Sequence, residues 1–281
     1  METPAVSVII PTYNRPDSLC ELLETLAAQT YRDLEVVVVN DAGSDVGFVR
    51  DLYPELPITV VTLERNAGHV VARNVGLDYA RGEFILLCDD DDLLLPGHVE
   101  RMMREIADAD LVYSDAIIFR YIRRGRTRVP TSWFLFAYEH DPAEMRRFST
   151  FIASGCLYRR RLHEAIGRFD PWVYHYWDWD FYLRVSERHR VKRVPEAGVL
   201  YAFGEEGDHL SAQLEQMRPF LDRLAAKHGL GPLPVKNFFL LLDEPEVAKR
   251  RADSAFAWDG RPVVSRWARL ERQNGRGRSG W

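Results

Sequence analysis

The sequence predicts an α/β fold built on a mostly parallel sheet with helices on both faces. Continuous Val/Ile/Leu runs recur at 6–10, 34–39, 58–63 and 83–88, and strands without a polar face belong to sheets covered on both sides. Segments with helical spacing separate these runs, the alternation that brings successive strands into parallel. Each run also ends in polar residues: Thr12-Tyr13-Asn14-Arg15, Asn40-Asp41, Glu64-Arg65-Asn66 and Asp89 to Asp92. Ligands of such sheets bind beyond the carboxyl ends of the strands, so four strand ends converge on one candidate site.

In chain order, the strand Val6 to Ile10 stops at Pro11. Asp17 to Gln29 has helical spacing through Leu19, Leu22, Leu23 and Leu26, and Pro16 suits the first position of that helix. Leu34 to Val39 is the second strand, a short helix lies near Val46 to Leu52, and Ile58 to Leu63 is the third strand. His69 to Ala80 is a helix, and Glu83 to Cys88 the fourth strand. Beyond residue 110 the pattern is less regular. Leu111 to Arg120 reads as a strand with Arg126 to Phe136 as its partner, and Phe151 to Tyr158 as another. Arg160 to Ile166 and Asp178 to Arg188 are helical. Val191 to Val194 and Gly198 to Phe203 are short strands, and Leu210 to His228 is a helix. From Gly229 onward Pro232, Pro234, Pro245 and Pro262 change the character of the chain, and an appended helical segment with a loose tail is expected.

With 46% hydrophobic and 28% charged residues among 281, the composition is that of a soluble chain able to bury a sizeable core. A net charge of −5 gives no global case for nucleic-acid binding. Cys20, Cys88 and Cys156 lie far apart without metal spacing, which points to reduced thiols and a cytoplasmic setting. No stretch approaches the length of a membrane span, and Met1-Glu2-Thr3-Pro4 lacks the features of a signal peptide.

Four adjacent aspartates, Asp89 to Asp92, follow the apolar run Phe84-Ile85-Leu86-Leu87-Cys88 and precede Leu93-Leu94-Leu95-Pro96. Carboxylates crowded at a strand end repel one another, and desolvating them is costly. A divalent cation removes that cost, and hard oxygen ligands suit Mg²⁺ or Mn²⁺. Asp92 is also placed to cap the helix that Pro96 helps to start. No glycine-rich phosphate loop follows the first strand, which disfavours a dinucleotide oxidoreductase and a nucleotidyltransferase.

With these residues in place, the chain resembles the inverting, nucleotide-sugar-dependent glycosyltransferases of family 2. The matching segments are Val8 to Arg15, Val39 to Asp45, Asn66-Ala67-Gly68 with Ala72 to Gly76, Asp89 to Asp92, and Trp177 to Arg184. They run in the family's order over about Val6 to Phe203. The resemblance implies a GT-A fold: a Rossmann-like, mostly parallel sheet flanked by helices, with a smaller mixed acceptor-side sheet. It implies a transferase domain over 1–205, with a nucleotide-binding half at 1–110 and an acceptor-binding half at 111–205, followed by the C-terminal helical extension 206–281. The implied partners are a UDP-sugar donor, or a dTDP-sugar next, and a carbohydrate, glycolipid or protein-linked acceptor, with peripheral contact at the inner membrane face.

The resemblance also assigns roles. Pro11, Thr12, Tyr13, Asn14 and Arg15 would hold the nucleotide, and Asp41 would accept a hydrogen bond from a pyrimidine N3–H. Asn66 and Gly68 would let backbone approach the ligand, and Arg73 would neutralise the diphosphate or pin the metal-binding carboxylates. Asp91 would ligate Mn²⁺ or Mg²⁺, with Asp89 or Asp90 touching ribose or a metal-bound water. The register among four identical residues stays open, and Asp89 is itself a candidate ligand. Asp178 would be the general base, with Asp180 as its rival: on a helix the two point about 200° apart. The family usually carries Glu-Asp where this chain has Trp177-Asp178. His209 is a further candidate metal ligand. The arginines between Arg120 and Arg128 read as a solvated hairpin or a contact for an anionic acceptor or membrane. The alternatives to a transferase are a non-catalytic nucleotide-sugar-binding module and a nucleotidyltransferase.

Overall fold

The computed structural model describes residues 3–204, 214–235, 242 and 244–276. A nine-stranded mixed sheet forms the frame. Its first half is parallel, in the order β3 (Ile58–Thr62), β2 (Leu34–Asn40), β1 (Val6–Thr12), β4 (Phe84–Leu87). Every residue of β1, β2 and β4 is buried, as expected of strands sandwiched between helices. The helices are α1 (Pro16–Ala27), α2 (Val49–Leu52) and α3 (His69–Tyr79). Pro16 opens α1, and Leu19, Leu22, Leu23 and Leu26 pack it into one core with Val8, Ile10, Val36 and Val38. α3 covers the opposite face, where Val70 packs with Ile9, and Ala72 with Val37 and Val39.

Beyond Asp92 the chain makes the two-residue strand β5 (Leu93–Leu94), then α4 (His98–Glu105). The long hairpin β6 (Leu111–Arg124) and β7 (Thr127–Phe136) is antiparallel. β8 (Leu157–Arg159) joins the halves by pairing antiparallel with both β4 and β6, so the strands of the second half continue the first sheet. Two expectations change here. Of the strand expected at Phe151 to Tyr158, only the end is strand: Gly155 takes φ +77° and turns the backbone, leaving the segment before it along the cleft. The two short strands expected after residue 190 are one, β9 (Val191–Gly204), which runs parallel to β6 with register shifts around Asp115. Gly198 in β9 has no room for a side chain, because a Cβ there would lie 2.0 Å from Nδ1 of the buried His98.

α5 (Leu162–Ile166), the 3-10 turn Pro171–Tyr176, α6 (Trp177–Ser186) and α7 (Leu214–His228) complete the second half. A C-terminal strap follows: α8 (Pro245–Ala248), then bridges from Arg251 to Tyr138 and from Ala255 to Glu196. α9 (Arg266–Arg276) closes onto α1, with Arg269 paired to Glu24 and Trp267 stacked on Phe48, ring centroids 4.5 Å apart. The three cysteines are buried and free. Among the described residues no helix is long and apolar enough to cross a membrane.

Candidate active site

The carboxyl ends of β1, β2 and β4 open on a cleft of ≈ 470 Å³ that the turn before α6 and the segment 148–154 close from the other side. Of the residues singled out in the sequence, Pro11, Thr12, Tyr13, Arg15, Asp41, Asn66, Gly68, Arg73, Asp89, Asp90, Asp91 and Asp178 line it. Asn14 does not. Its backbone takes φ +55°, and its Oδ1 accepts hydrogen bonds from the Ser44 amide (2.8 Å) and hydroxyl (3.1 Å), tying the first strand end to the second. His209 lies outside the described residues.

Asp41 is a clamp as well as a wall. Its two oxygens accept the amides of Ala67 (2.7 Å) and Gly68 (2.8 Å), so the end of β2 fixes the loop that opens α3. An Asx turn precedes the clamp: Asn40 Oδ1 accepts the Gly43 amide at 2.8 Å. Gly68 takes φ +89°, and a Cβ there would meet the Tyr174 ring at 2.9 Å; the loop approaches the opposite wall as only glycine permits.

The four aspartates separate by partner. Asp89 pairs with Arg73, a buried side chain of α3 whose guanidinium lies 4.0 Å from the centroid of the Trp177 ring. Trp177, where the family usually carries an acid, therefore covers this arginine with a cation–π contact. Asp90 is buried, accepts Thr12 Oγ1 at 2.6 Å, and is pushed up to about 7 by burial and by Asp91. Asp91 accepts Arg15 Nη1 at 2.5 Å, and its backbone carbonyl accepts Arg128 Nη1 at 2.5 Å.

Asp92 is not a helix cap. Gly97 holds that position for α4, and Asp92 turns inward beneath the loop. Its Oδ1 accepts the Ala202 amide at 3.3 Å, whereas Oδ2 is buried with no hydrogen-bond partner among the described residues. Ser154 stands close enough to favour the carboxylate but makes no well-formed bond to that oxygen. Burial, then Asp91 and Asp89, holds the Asp92 carboxyl well above the usual range. Oxygens of Asp89, Asp91 and Asp92 lie within 4.8 Å of one another. Three converging carboxylates, one of them buried with an oxygen that has no partner among the described residues, are a donor set that fits a hard divalent cation.

Arg128 departs from the solvated hairpin expected between Arg120 and Arg128. It is 2% exposed, and its Nε pairs with the equally buried Glu21 of α1, behind the acidic loop. Arg126 and Arg123 of the same hairpin also reach α1, at Asp17 and Ser18. The sequence gives no sign of the Glu21–Arg128 pair, whose members stand 107 residues apart.

Asp178 and Asp180 part as the helix geometry requires. Asp178 is the second residue of α6 and faces the cleft, where its Oδ1 accepts the Trp179 amide at 2.8 Å. The N-cap position belongs to Tyr176. Burial pushes the Asp178 carboxyl up to about 6; the Trp179 amide lowers it, Asp89 raises it and Arg73 lowers it. Asp180 is fully buried on the other side of the helix. Lys227 Nζ (2.7 Å) and His228 Nε2 (2.8 Å) contact its Oδ1, and Arg184 Nε (2.9 Å) donates to Oδ2.

This ties α6 to α7, so Asp180→Asn should destabilise the fold by about 3 kcal/mol, because it removes the buried charge on which Arg184, Lys227 and His228 converge. Burial opposes the Asp180 charge, but the His228 bond and then the Arg184 and Lys227 charges outweigh it and hold the pKa at about 2. A lowered carboxyl pKa stabilises above the unfolded value, ~3.9, and the contribution is lost as pH falls toward 2. Urea denaturation at pH 7 and pH 3 measures both, and the gap between wild type and variant should shrink at the lower pH.

In the aromatic stretch around 172–179, Tyr174, His175 and Tyr176 line the cleft together with the buried Trp177 and Trp179, whereas Trp172 is 71% exposed. Tyr201 of β9 also reaches the cleft, in the field of Asp92, Asp91, Asp89 and Asp178; its position in a short apolar strand gave no signal.

A parallel half-sheet covered by helices, an acidic loop at the end of β4 and a carboxylate across the cleft define a GT-A-type transferase. The family described as Glycosyl transferase family 2 matches residues 7–167, and the chain belongs to it. It is 55% identical over 262 residues to the uncharacterized glycosyltransferase YwdF of Bacillus subtilis (strain 168), covering 93% of this chain and 98% of that protein. It is 28% identical over 223 residues to the poly(ribitol-phosphate) beta-N-acetylglucosaminyltransferase TarS of Staphylococcus aureus (strain Mu50 / ATCC 700699), covering 73% of this chain but only 37% of that enzyme. The crystal structure of S. aureus TarS 1-349 in complex with UDP matches with a TM-score of 0.57 at 25% identity, covering 78% of this chain and 65% of that one. The protein is a glycosyltransferase, and the nucleotidyltransferase and non-catalytic alternatives fall away.

Proposed function

We propose that the protein moves a sugar from a nucleoside-diphosphate sugar to an acceptor hydroxyl with inversion at the anomeric carbon, in surface-polysaccharide or glycoconjugate synthesis. The donor is a UDP-sugar, with a dTDP-sugar next. The observation that carries this reading is one cleft holding Asp89, Asp90 and Asp91 on one wall and Asp178 on another. The name of TarS and the UDP in its crystal structure support the donor and a surface-polymer acceptor.

In this reading Asp178 takes the proton of the acceptor hydroxyl while that oxygen forms its bond to the anomeric carbon and the bond to the diphosphate breaks on the opposite face. Pro11, Thr12, Tyr13 and Asp41 hold base and ribose, with Asn66 and Gly68 as the close backbone wall. Arg73 keeps Asp89 oriented under its Trp177 cover. Asp89, Asp91 and Asp92 would hold Mn²⁺ or Mg²⁺, with His209 as a further candidate ligand. A cation there supplies positive charge against the departing diphosphate.

Thermal denaturation with UDP, dTDP or GDP, each with and without Mn²⁺, tests donor and cation together. UDP with Mn²⁺ should raise the melting temperature more than the two separate shifts summed. Preference for GDP, or indifference to Mn²⁺, would overturn the assignment.

A further inference from the structure

Four adjacent aspartates share two arginines, and the two differ in freedom. Arg73 is buried, 3% exposed, and held under Trp177. Arg15 is 40% exposed, at the entrance to α1, and its Nη1 spans Asp91 Oδ2 (2.5 Å) and Asp90 Oδ1 (3.5 Å). Asp91 is also one of the three carboxylates whose oxygens converge within 4.8 Å. A cation ligated by Asp91 and a guanidinium paired with it compete for the same negative charge. Arg15 also lines the nucleotide cleft, where a diphosphate would offer it a second anionic partner.

We propose that Arg15 is an exchangeable counterion: it holds Asp91 until a nucleotide diphosphate draws it away, so that nucleotide binding opens the acidic loop to the cation. The inference rests on the nucleotide-sugar and cation reading above. Surrounding contacts suit the exchange. Thr12 holds Asp90, and Arg128, locked to Glu21, holds the Asp91 carbonyl. The backbone can therefore stay in place while one side chain changes partner. Burial works against the Arg15 charge, and Asp91 and then Asp90 more than offset it, so the guanidinium remains protonated throughout. Linkage is reciprocal: if UDP tightens Mn²⁺, Mn²⁺ tightens UDP by the same factor.

Isothermal titration of wild type and Arg15→Gln with MnCl₂, with and without saturating UDP, tests this, circular dichroism confirming that both are folded. In wild type, UDP should tighten Mn²⁺ by about 10-fold or more. In Arg15→Gln, Mn²⁺ alone should bind about 10-fold tighter than to wild type, and the effect of UDP should shrink. Arg15→Lys, which keeps the charge, should stay near wild type. If Arg15→Gln binds Mn²⁺ alone no tighter than wild type does, the counterion role is overturned while the cation site stands. If neither protein binds Mn²⁺ under either condition, the cation reading falls and this inference with it.

Discussion

Asp178→Asn should lower the turnover number by about 10³-fold and leave UDP·Mn²⁺ binding within about 2-fold of wild type by the measure of linked stabilisation. The two effects separate because the carboxylate has one hydrogen bond that the variant can keep. Asp178 accepts the Trp179 amide at 2.8 Å, and an Asn carbonyl oxygen accepts it equally well. The fold loses nothing, while the atom that must receive a proton is gone. Asp180→Asn has the opposite signature, because its contacts with Lys227, His228 and Arg184 are structural. Unaltered turnover in Asp178→Asn would move the base elsewhere.

The same carboxylate predicts a pH profile. A base works in its deprotonated form, and burial places Asp178 at about 6. Turnover should therefore be flat above pH 7 and fall with decreasing pH, tenfold per unit once well below 6. Asp180, held at about 2, would give no such limb over the range in which the protein stays folded. Rates across pH 4.5 to 8 distinguish the two, and an activity independent of pH down to 4.5 would rule out Asp178.

The parallel half was legible because its strands are buried on both faces. Continuous Val and Ile runs at β1 and β2 leave no other placement, and their polar ends identify the cleft edge. Legibility failed where neighbours in space are distant in sequence. Phe151 to Tyr158 has the apolar content of a strand, but Gly155 at φ +77° ends any ladder before Leu157. β5 pairs through only Leu93 and Leu94 and is too short for a pattern. Arg128 looks like its exposed neighbour Arg124, and the difference lies in its approach to Glu21. The four aspartates are the extreme case. Identical in chemistry, they are told apart only by Arg73, by Thr12 and Arg15, and by the Ala202 amide.

Asp92 is the residue for which that failure has the largest consequence. Asp92→Asn should bind Mn²⁺ in the presence of UDP about 100-fold more weakly, with transfer falling in parallel, and yet be at least as stable as wild type. Asp92 is buried, its Oδ2 has no hydrogen-bond partner among the described residues, and one of its oxygens lies within 4.8 Å of oxygens of Asp89 and Asp91. An amide in its place removes a buried charge from beside those carboxylates, so their repulsion is relieved. The raised pKa fixes the sign of the comparison. A carboxyl held above its unfolded value costs stability when it ionises, so wild type loses stability as pH rises above the unfolded value, ~3.9, while the variant loses less. Denaturation midpoints followed from pH 4 to pH 8, read beside a Mn²⁺ titration, give both quantities. Stability sacrificed at one carboxylate for cation binding is the expected mark of a functional residue. Loss of stability together with unchanged Mn²⁺ affinity would make Asp92 a structural group after all.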